Sequence, residues 1–321
     1  MRRRLQDQRG MALLLTLLVI ALLTAVTVSF GLATRLDYEA AANLRDSVRL
    51  AERAGSVFDY GRAILAVDGD ASAYDAFTEE WASPDGLAAD AEVLLGGGCE
   101  LAIQDQSGLL PVNALVGADG QYNETVRQSF VRLLVAAGSV GADDAENIVD
   151  AVKDWLDADD EVTRFGAESA TYLAMAQPYR CRNAPIASLD ELLLVQGMSA
   201  ELLYGAEGSP GIASSLTVYG RDGVVNINTA PTAVLMALAE NMDMEMAEAM
   251  DEYRQDPAND LSSPTWYRNI RGDVNLVGAV VKSEYFEIVA TGVEGRMRRT
   301  VRGVVRRHDA KKIEVLSWQV D

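Results

Sequence analysis

Residues 11–34 read MALLLTLLVIALLTAVTVSFGLAT, carry no charge, and follow a stub with arginines at positions 2, 3, 4 and 9. A helix rises about 1.5 Å per residue and a bilayer's hydrocarbon core is about 30 Å thick, so roughly 20 residues cross it. The run is long enough, and positive charge ahead of it stays on the cytoplasmic side. A single spanning helix is expected, with everything after Arg35 outside the cytoplasm. The residues leave three fates open for the stub. It remains on an uncleaved anchor, it leaves with an ordinary signal peptide, or it is trimmed on the cytoplasmic side of a retained anchor. A signal peptide would want a shorter apolar region and a small-residue cleavage site, and the end of this run offers no clean one.

The 321 residues are 49% hydrophobic, enough for one large domain or two smaller ones outside the membrane. Formal net charge is -20, and loss of the four Arg and one Asp in residues 1–10 would leave -23. Such a surface repels nucleic acid and anionic headgroups and attracts divalent cations. Cys99 and Cys181 are the only cysteines. In an oxidising compartment a pair favours a disulfide, here closing a loop of about 80 residues worth roughly 4 kcal/mol. Two separately buried thiols are the alternative. The single His, His308, lies near the end of the chain without a nucleophile motif, so hydrolase chemistry is not expected.

Residues 35–67 lack Pro, and Leu36, Ala40, Leu44, Val48, Ala51, Ala54, Phe58 and Leu65 recur at helical spacing. The spanning helix is therefore expected to continue, ending before Asp68-Gly69-Asp70, as one element of about 80 Å. Cys99–Asp105 alternates as a strand does, and Glu284–Val293 reads as another. Glu294-Gly295 turns, and Met297–Arg307 returns as its partner. Arg296, Arg298, Arg299, Arg302, Arg306 and Arg307 suggest either a nucleic-acid face or the solvated face of an edge strand, and the second reading is preferred. Helices are expected over 123–137, 142–155, 189–194, 199–204, 230–239 and 244–253. A helical domain is thus inserted between the strands of one sheet.

The densest carboxylate group is Asp154-Trp155-Leu156-Asp157-Ala158-Asp159-Asp160-Glu161, followed by Gly166-Ala167-Glu168. Calcium takes six to eight oxygens from such loops. A solvated acidic turn is the other reading, and no complete EF-hand pattern is present. Val225-Asn226-Ile227-Asn228-Thr229-Ala230-Pro231 resembles the entry to a helix-hairpin-helix, with Thr229 as N-cap and Pro231 in the first turn. DNA-binding versions need amides and nearby cations facing phosphate, whereas Glu240-Asn-Met-Asp-Met-Glu-Met-Ala-Glu is acidic.

Gln8-Arg9-Gly10-Met11-Ala12-Leu13-Leu14 resembles a type IV pilin or pseudopilin processing site. In that family prepilin peptidase cuts after the Gly and methylates the new N-terminus, here Met11. Most pilins carry Glu as the fifth mature residue, and here Leu15 replaces it. The missing Glu, Asp105–Asn113, Asp-Trp-Leu-Asp-x-Asp, Gly-Ala-Glu, Gln177-Pro178-Tyr179, Leu189–Met198 and the Asn-Ile-Asn-Thr-Ala-Pro stretch together resemble the minor pseudopilin K family of type II secretion.

That resemblance implies an α+β fold. A long N-terminal transmembrane helix would pack on a small antiparallel sheet, with a large, mainly helical inserted domain containing two helix-hairpin-helix or SAM-like repeats. It implies a leader over 1–10, a span over 11–34, the stalk and first sheet segment over 35–110, the insert over 111–280 and closing strands over 281–321. It implies a non-enzymatic tip subunit in the bacterial inner membrane with a periplasmic C-terminal domain. The expected partners are I- and J-type pseudopilins and the inner-membrane secretion platform, with no nucleic acid. It also implies structural calcium, with Asp157, Asp159 and Glu168 as first ligands and Asp160 and Glu161 as second choices. The competing class is a membrane-anchored helix-hairpin-helix protein handling DNA in a competence-like system.

Overall fold

The computed structural model describes residues 9–138, 140–206, 209–309 and 312–321; the stub's residues 1–8 lie outside them. Helix α1 spans Arg9–Ala71, 63 residues, or about 95 Å at the usual rise. Residues 10–41 are exposed along their whole circumference, and Leu50 is the first fully buried side chain. The N-terminal half therefore projects from the protein with nothing covering it, and among the described residues α1 is the one helix long and apolar enough to cross a membrane. The helix outlasts the expected stop at Asp68. Its last turn is held by tertiary contact, since Asp68 Oδ2 accepts from Arg307 at 2.8 Å, and such contacts override the weak cost of a helical Gly.

Helix α2 (Pro84–Leu95), not foreseen from the sequence, follows. Strand β1 is Cys99–Asp105 and β2 is Leu110–Pro111. Then come α3 (Glu124–Ala136), α4 (Ala142–Leu156), α5 (Ser169–Leu173) and α6 (Ala200–Tyr204). Short strands β3 (Gly205–Ala206), β4 (Ser209–Pro210), β5 (Leu216–Thr217) and β6 (Val225–Asn226) lead to α7 (Thr232–Ala237) and α8 (Met244–Gln255). The chain closes with β7 (Ala279–Val280), β8 (Tyr285–Glu294), β9 (Met297–Asp309), β10 (Lys312–Val315) and β11 (Gln319–Val320). The segment between β1 and β8 carries helices α3 to α8 joined by long irregular stretches, so it is less helical than expected, and among the described residues it takes part in three two-stranded pairings, two of them parallel.

The main sheet is antiparallel, in the order β1-β8-β9-β10, with β11 also on β9. Cys99 lies opposite Gly292 and Asp105 opposite Phe286, while Glu294 pairs with Met297 across the tight turn. This register puts Cys99, Leu101, Ile103, Phe286, Ile288 and Ala290 on one face, where they meet Ala54, Val57, Phe58 and Leu65 of α1. One-sided burial fixes that register, because a slip by one residue would turn every side chain over. Strand β9 is an interior strand, which corrects the edge-strand expectation: residues 312–320 pair along its far side. Its arginines are largely used in cross-strand pairs, Arg302 with Glu287 at 3.0 Å, Arg306 with Glu284 at 2.9 Å, and Arg298 with Glu100.

A second, larger core joins Val126, Phe130, Leu133, Val149, Val152, Trp155, Tyr172, Leu235, Met250 and Trp266. Cys181 belongs to this core and Cys99 to the sheet core. The two thiols are not bonded to each other, which corrects the disulfide expectation. Each is buried as a small apolar side chain in a different core.

The cores are joined through polar groups. Asp105 Oδ2, at the end of β1, accepts from Thr229 Oγ1 at 2.6 Å, from Asn226 Nδ2 at 3.2 Å and from Ser283 Oγ. Asn226 Nδ2 also donates to Asp75 O at 3.0 Å, and Ser283 N donates to Asp75 Oδ2 at 2.7 Å. Thr229 is therefore not the cap of α7, whose N-cap is Pro231. The chain crosses this joint at Gly108, where an added Cβ would fall 2.6 Å from Thr229 Oγ1 and 2.9 Å from Thr229 C. Gly108→Ala should cost about 1–3 kcal/mol through this clash, read as a lower midpoint in urea unfolding of the full chain in detergent; an unchanged midpoint would show that the joint yields.

Candidate functional site

Helix α4 is amphipathic, and its buried face carries Ile148, Val149, Val152 and Trp155 into the insert core. Trp155 meets Tyr172 edge-on at 5.2 Å. This packing fixes the helix end, so that Asp154 and Asp157 arrive at defined positions. Asp157 is the C-cap and leaves the helix with an extended backbone. Glu168 is the N-cap of α5. The loop between them folds onto Asp154, whose carboxylate accepts from Thr163 N at 3.1 Å. Gly166 is required there, because a Cβ would lie 2.2 Å from Asp154 Oδ2. This close approach is the physical content of the Gly-Ala-Glu triplet: the Gly clears Asp154, the Ala is buried, and the Glu turns inward.

Asp157, Asp159 and Glu168 are thereby brought together, with one carboxylate oxygen of each within 4.8 Å of the others. Asp157 and Glu168 are each only 2% exposed. Asp160 and Glu161 stay exposed on the rim and do not join this group. Asp157 Oδ1 and Glu168 Oε1 are buried without a hydrogen-bond partner. So is Asn183 Oδ1, a residue that sequence reasoning missed. Asn183 has φ 47°, a left-handed conformation in which Asn is enriched. Its Nδ2 donates to Asp159 O at 2.5 Å and Asp160 Oδ1 at 3.3 Å. A lone Asn in irregular chain gives little signal before the fold places it.

Buried acceptors without donors are costly. Three of them on three nearby segments fit a hard cation that takes oxygen ligands, as calcium does. The electrostatics agree. Burial first, then Asp154 and Asp157, push Glu168 up to about 7. Burial also raises Asp157, against the pull of Lys153, and Asp154, against its bonds to Thr163. A divalent ion at these oxygens would neutralise the repulsion and tie residues 157–168 together.

A second acidic triad, Asp68, Asp75 and Glu79, also converges but already has its donors. Arg307 bonds Asp68 and Asp75, and Glu79 Oε2 takes Ala76 N at 2.9 Å and Trp81 Nε1 at 3.1 Å. The Asn-Ile-Asn-Thr-Ala-Pro stretch faces inward as well. Asn226 and Asn228 are fully buried and Thr229 is 5% exposed, while Asn228 bonds Leu261 O and Trp266 Nε1. These side chains are not available to phosphate, and the neighbouring α8 carries Glu245, Glu248, Asp251 and Glu252.

Comparison with known proteins gives one consistent result. Models of the family described as type II secretion system protein K match residues 108–206 and 225–260. Type II secretion system protein K of Pseudomonas aeruginosa is 26% identical over 97% of this chain and 92% of its own length. The protein K of Pectobacterium carotovorum is 30% identical over 61% of this chain and 60% of its own length. Among solved structures, a chain of the GspK-GspI-GspJ complex from the type 2 secretion system of enterotoxigenic Escherichia coli superposes with a TM-score of 0.64. That match has 18% identity and covers 88% of this chain and 98% of the other.

Proposed function

We propose, for a chain that belongs to the type II secretion system protein K family, the role of a minor pseudopilin at the tip of the pseudopilus. In this reading it starts and caps assembly of the filament that exports folded proteins across the outer membrane. It is anchored once in the inner membrane, its C-terminal domain lies in the periplasm, and it works by assembly rather than catalysis. Its partners are I- and J-type pseudopilins, by analogy with the Escherichia coli GspK-GspI-GspJ complex, together with the inner-membrane secretion platform. Two helix pairs, 189–194 with α6 and α7 with α8, serve as helix-hairpin-helix or SAM-like packing repeats without nucleic-acid function. Asp157, Asp159, Glu168 and Asn183 would hold a structural calcium ion.

The observation that carries the role is the contrast between the two ends of the molecule. An apolar helix, exposed from residue 10 to 41, leads to a sheet interrupted by a whole second core. The bare helix can pack laterally among other stalks. The insert gives a head too wide to stack above and below identical heads. Leu15 agrees with this, since a subunit lacking the usual Glu cannot pair that charge with a neighbour's N-terminus.

The tip role predicts that copies of the chain per filament stay constant as filaments lengthen. Quantitative mass spectrometry of sheared pseudopili, ordered by length, checks this; incorporation proportional to length would sink the capping role. The membrane form should also begin at a methylated Met11, cut after Gly10. Intact-mass analysis from cells with active prepilin peptidase should show it, and retention of residues 1–10 would contradict it.

A further inference from the structure

A cation of the protein's own already sits beside the calcium ligands. Lys153 lies one helical turn before Asp157 on α4 and is 9% exposed. Its Nζ contacts Asp157 Oδ2 at 2.5 Å and Thr163 Oγ1 at 2.9 Å, and stands 5.6 Å from the centre of the Tyr122 ring. Among the described residues, no other Lys or Arg forms an ion pair with Asp154, Asp157, Asp159 or Glu168. One oxygen of Asp157 is thus held by an ammonium, while the other, Oδ1, is buried and bare.

We propose that Lys153 is a built-in competitor of the divalent ion: it keeps the acidic loop folded when the ion is scarce, and it sets the site's affinity low. The proposal rests on the calcium reading above. Without any cation, buried carboxylates this close would repel and open the loop. The Lys153 ammonium supplies one positive charge from within the fold, where no binding equilibrium is needed. With calcium at the triad, the ion and the ammonium would share the Asp157 carboxylate, and their repulsion is only partly screened in the interior. Lys153 also anchors Asp157 through Oδ2, which restricts the positions open to the bare Oδ1. That ordering helps binding, but restricting one short side chain is a smaller effect than the repulsion between the two charges.

The test uses the full chain in detergent, titrated with calcium chloride by calorimetry and melted in EGTA and in calcium. Lys153→Met should melt lower than wild type in EGTA, gain more from calcium, and bind calcium at least ~10-fold more tightly, the change expected from a modest relief of like-charge repulsion. Lys153→Arg keeps the charge and should bind within about threefold of wild type. Equal or weaker binding by Lys153→Met would overturn the proposal while leaving the calcium site standing. Absence of calcium binding by wild type and variants alike would remove the site itself. Lys153→Gln, which retains hydrogen bonding without charge, provides the same comparison if the Met variant does not fold. Failure of both neutral variants to fold in saturating calcium would overturn the proposal, because the ion could not then replace the ammonium.

Discussion

Arg307→Ala is expected to lower the thermal midpoint of the full chain by about 10 °C, the largest single-residue effect the structure implies. Arg307 is 4% exposed and lies where three segments meet. It bonds Asp68 at the end of α1, Asp75 in the following loop, Leu65 O at 3.3 Å and Ser283 O at 3.1 Å ahead of β8. It also lies 4.7 Å over the Phe286 ring. Removing one partner of a buried ion pair leaves the other uncompensated, at about 3–5 kcal/mol. A unit of this size loses roughly 2–4 °C per kcal/mol. The pH dependence has a definite sign. Burial and the adjacent Glu79 already hold Asp68 up at about 7 despite Arg307. Without the guanidinium, Asp68 would shift further upward, and an acid raised on folding loses its stabilising contribution as pH rises through its folded value. The deficit of the variant should therefore be greatest above about pH 7 and shrink toward pH 5. A deficit below 1 kcal/mol, or one independent of pH, would show that the joint relaxes around the loss.

Calcium is expected to raise the melting temperature, and EGTA to lower it, by about 5–10 °C, because ligand at a hundredfold excess over its dissociation constant stabilises by about 2.7 kcal/mol. Asp157→Asn and Glu168→Gln should each remove most of that response, since each deletes the charge of a buried carboxylate that has an oxygen without a hydrogen-bond partner. Asp160→Asn and Glu161→Gln, on the exposed rim, should leave it nearly intact. Protons compete with the ion at Glu168. Its raised value of about 7 means that the cation-free fold gains from protonation below that pH and loses the gain above it. The calcium-induced rise in melting temperature should accordingly be larger at pH 8 than at pH 6. A melting temperature indifferent to EGTA would show that the fold holds no structural calcium.

The parts of the fold legible in the sequence are those set by local pattern. The uncharged run and the absence of Pro give α1, the alternation of Cys99–Asp105 gives β1, and Glu294-Gly295 gives the β8–β9 turn. Helix α2 escapes such a reading because Pro84-Asp85-Gly86 has the composition of a turn, whereas in the structure it opens a helix. The Asp157, Asp159 and Glu168 grouping follows from resemblance supported by acidic spacing. Asn183 and the burial of Arg307 cannot be read in that way. Each depends on partners distant in sequence, and Arg307 meets Asp75 across 232 residues. Thr229 shows the same limit: its neighbours suggest a helix cap, but a stronger acceptor, Asp105, arrives from 124 residues earlier. Lys153 is visible as an i, i+4 partner of Asp157, yet only burial makes that spacing consequential.

In the proposed role this chain completes a hetero-oligomeric tip and does not build a filament of its own. Native mass spectrometry of the detergent-solubilised full chain, co-expressed with the I- and J-type pseudopilins of the same system, distinguishes the two. The expected result is a complex containing one copy of each of the three subunits. A chain that stays alone, or that assembles chiefly with copies of itself, would contradict it.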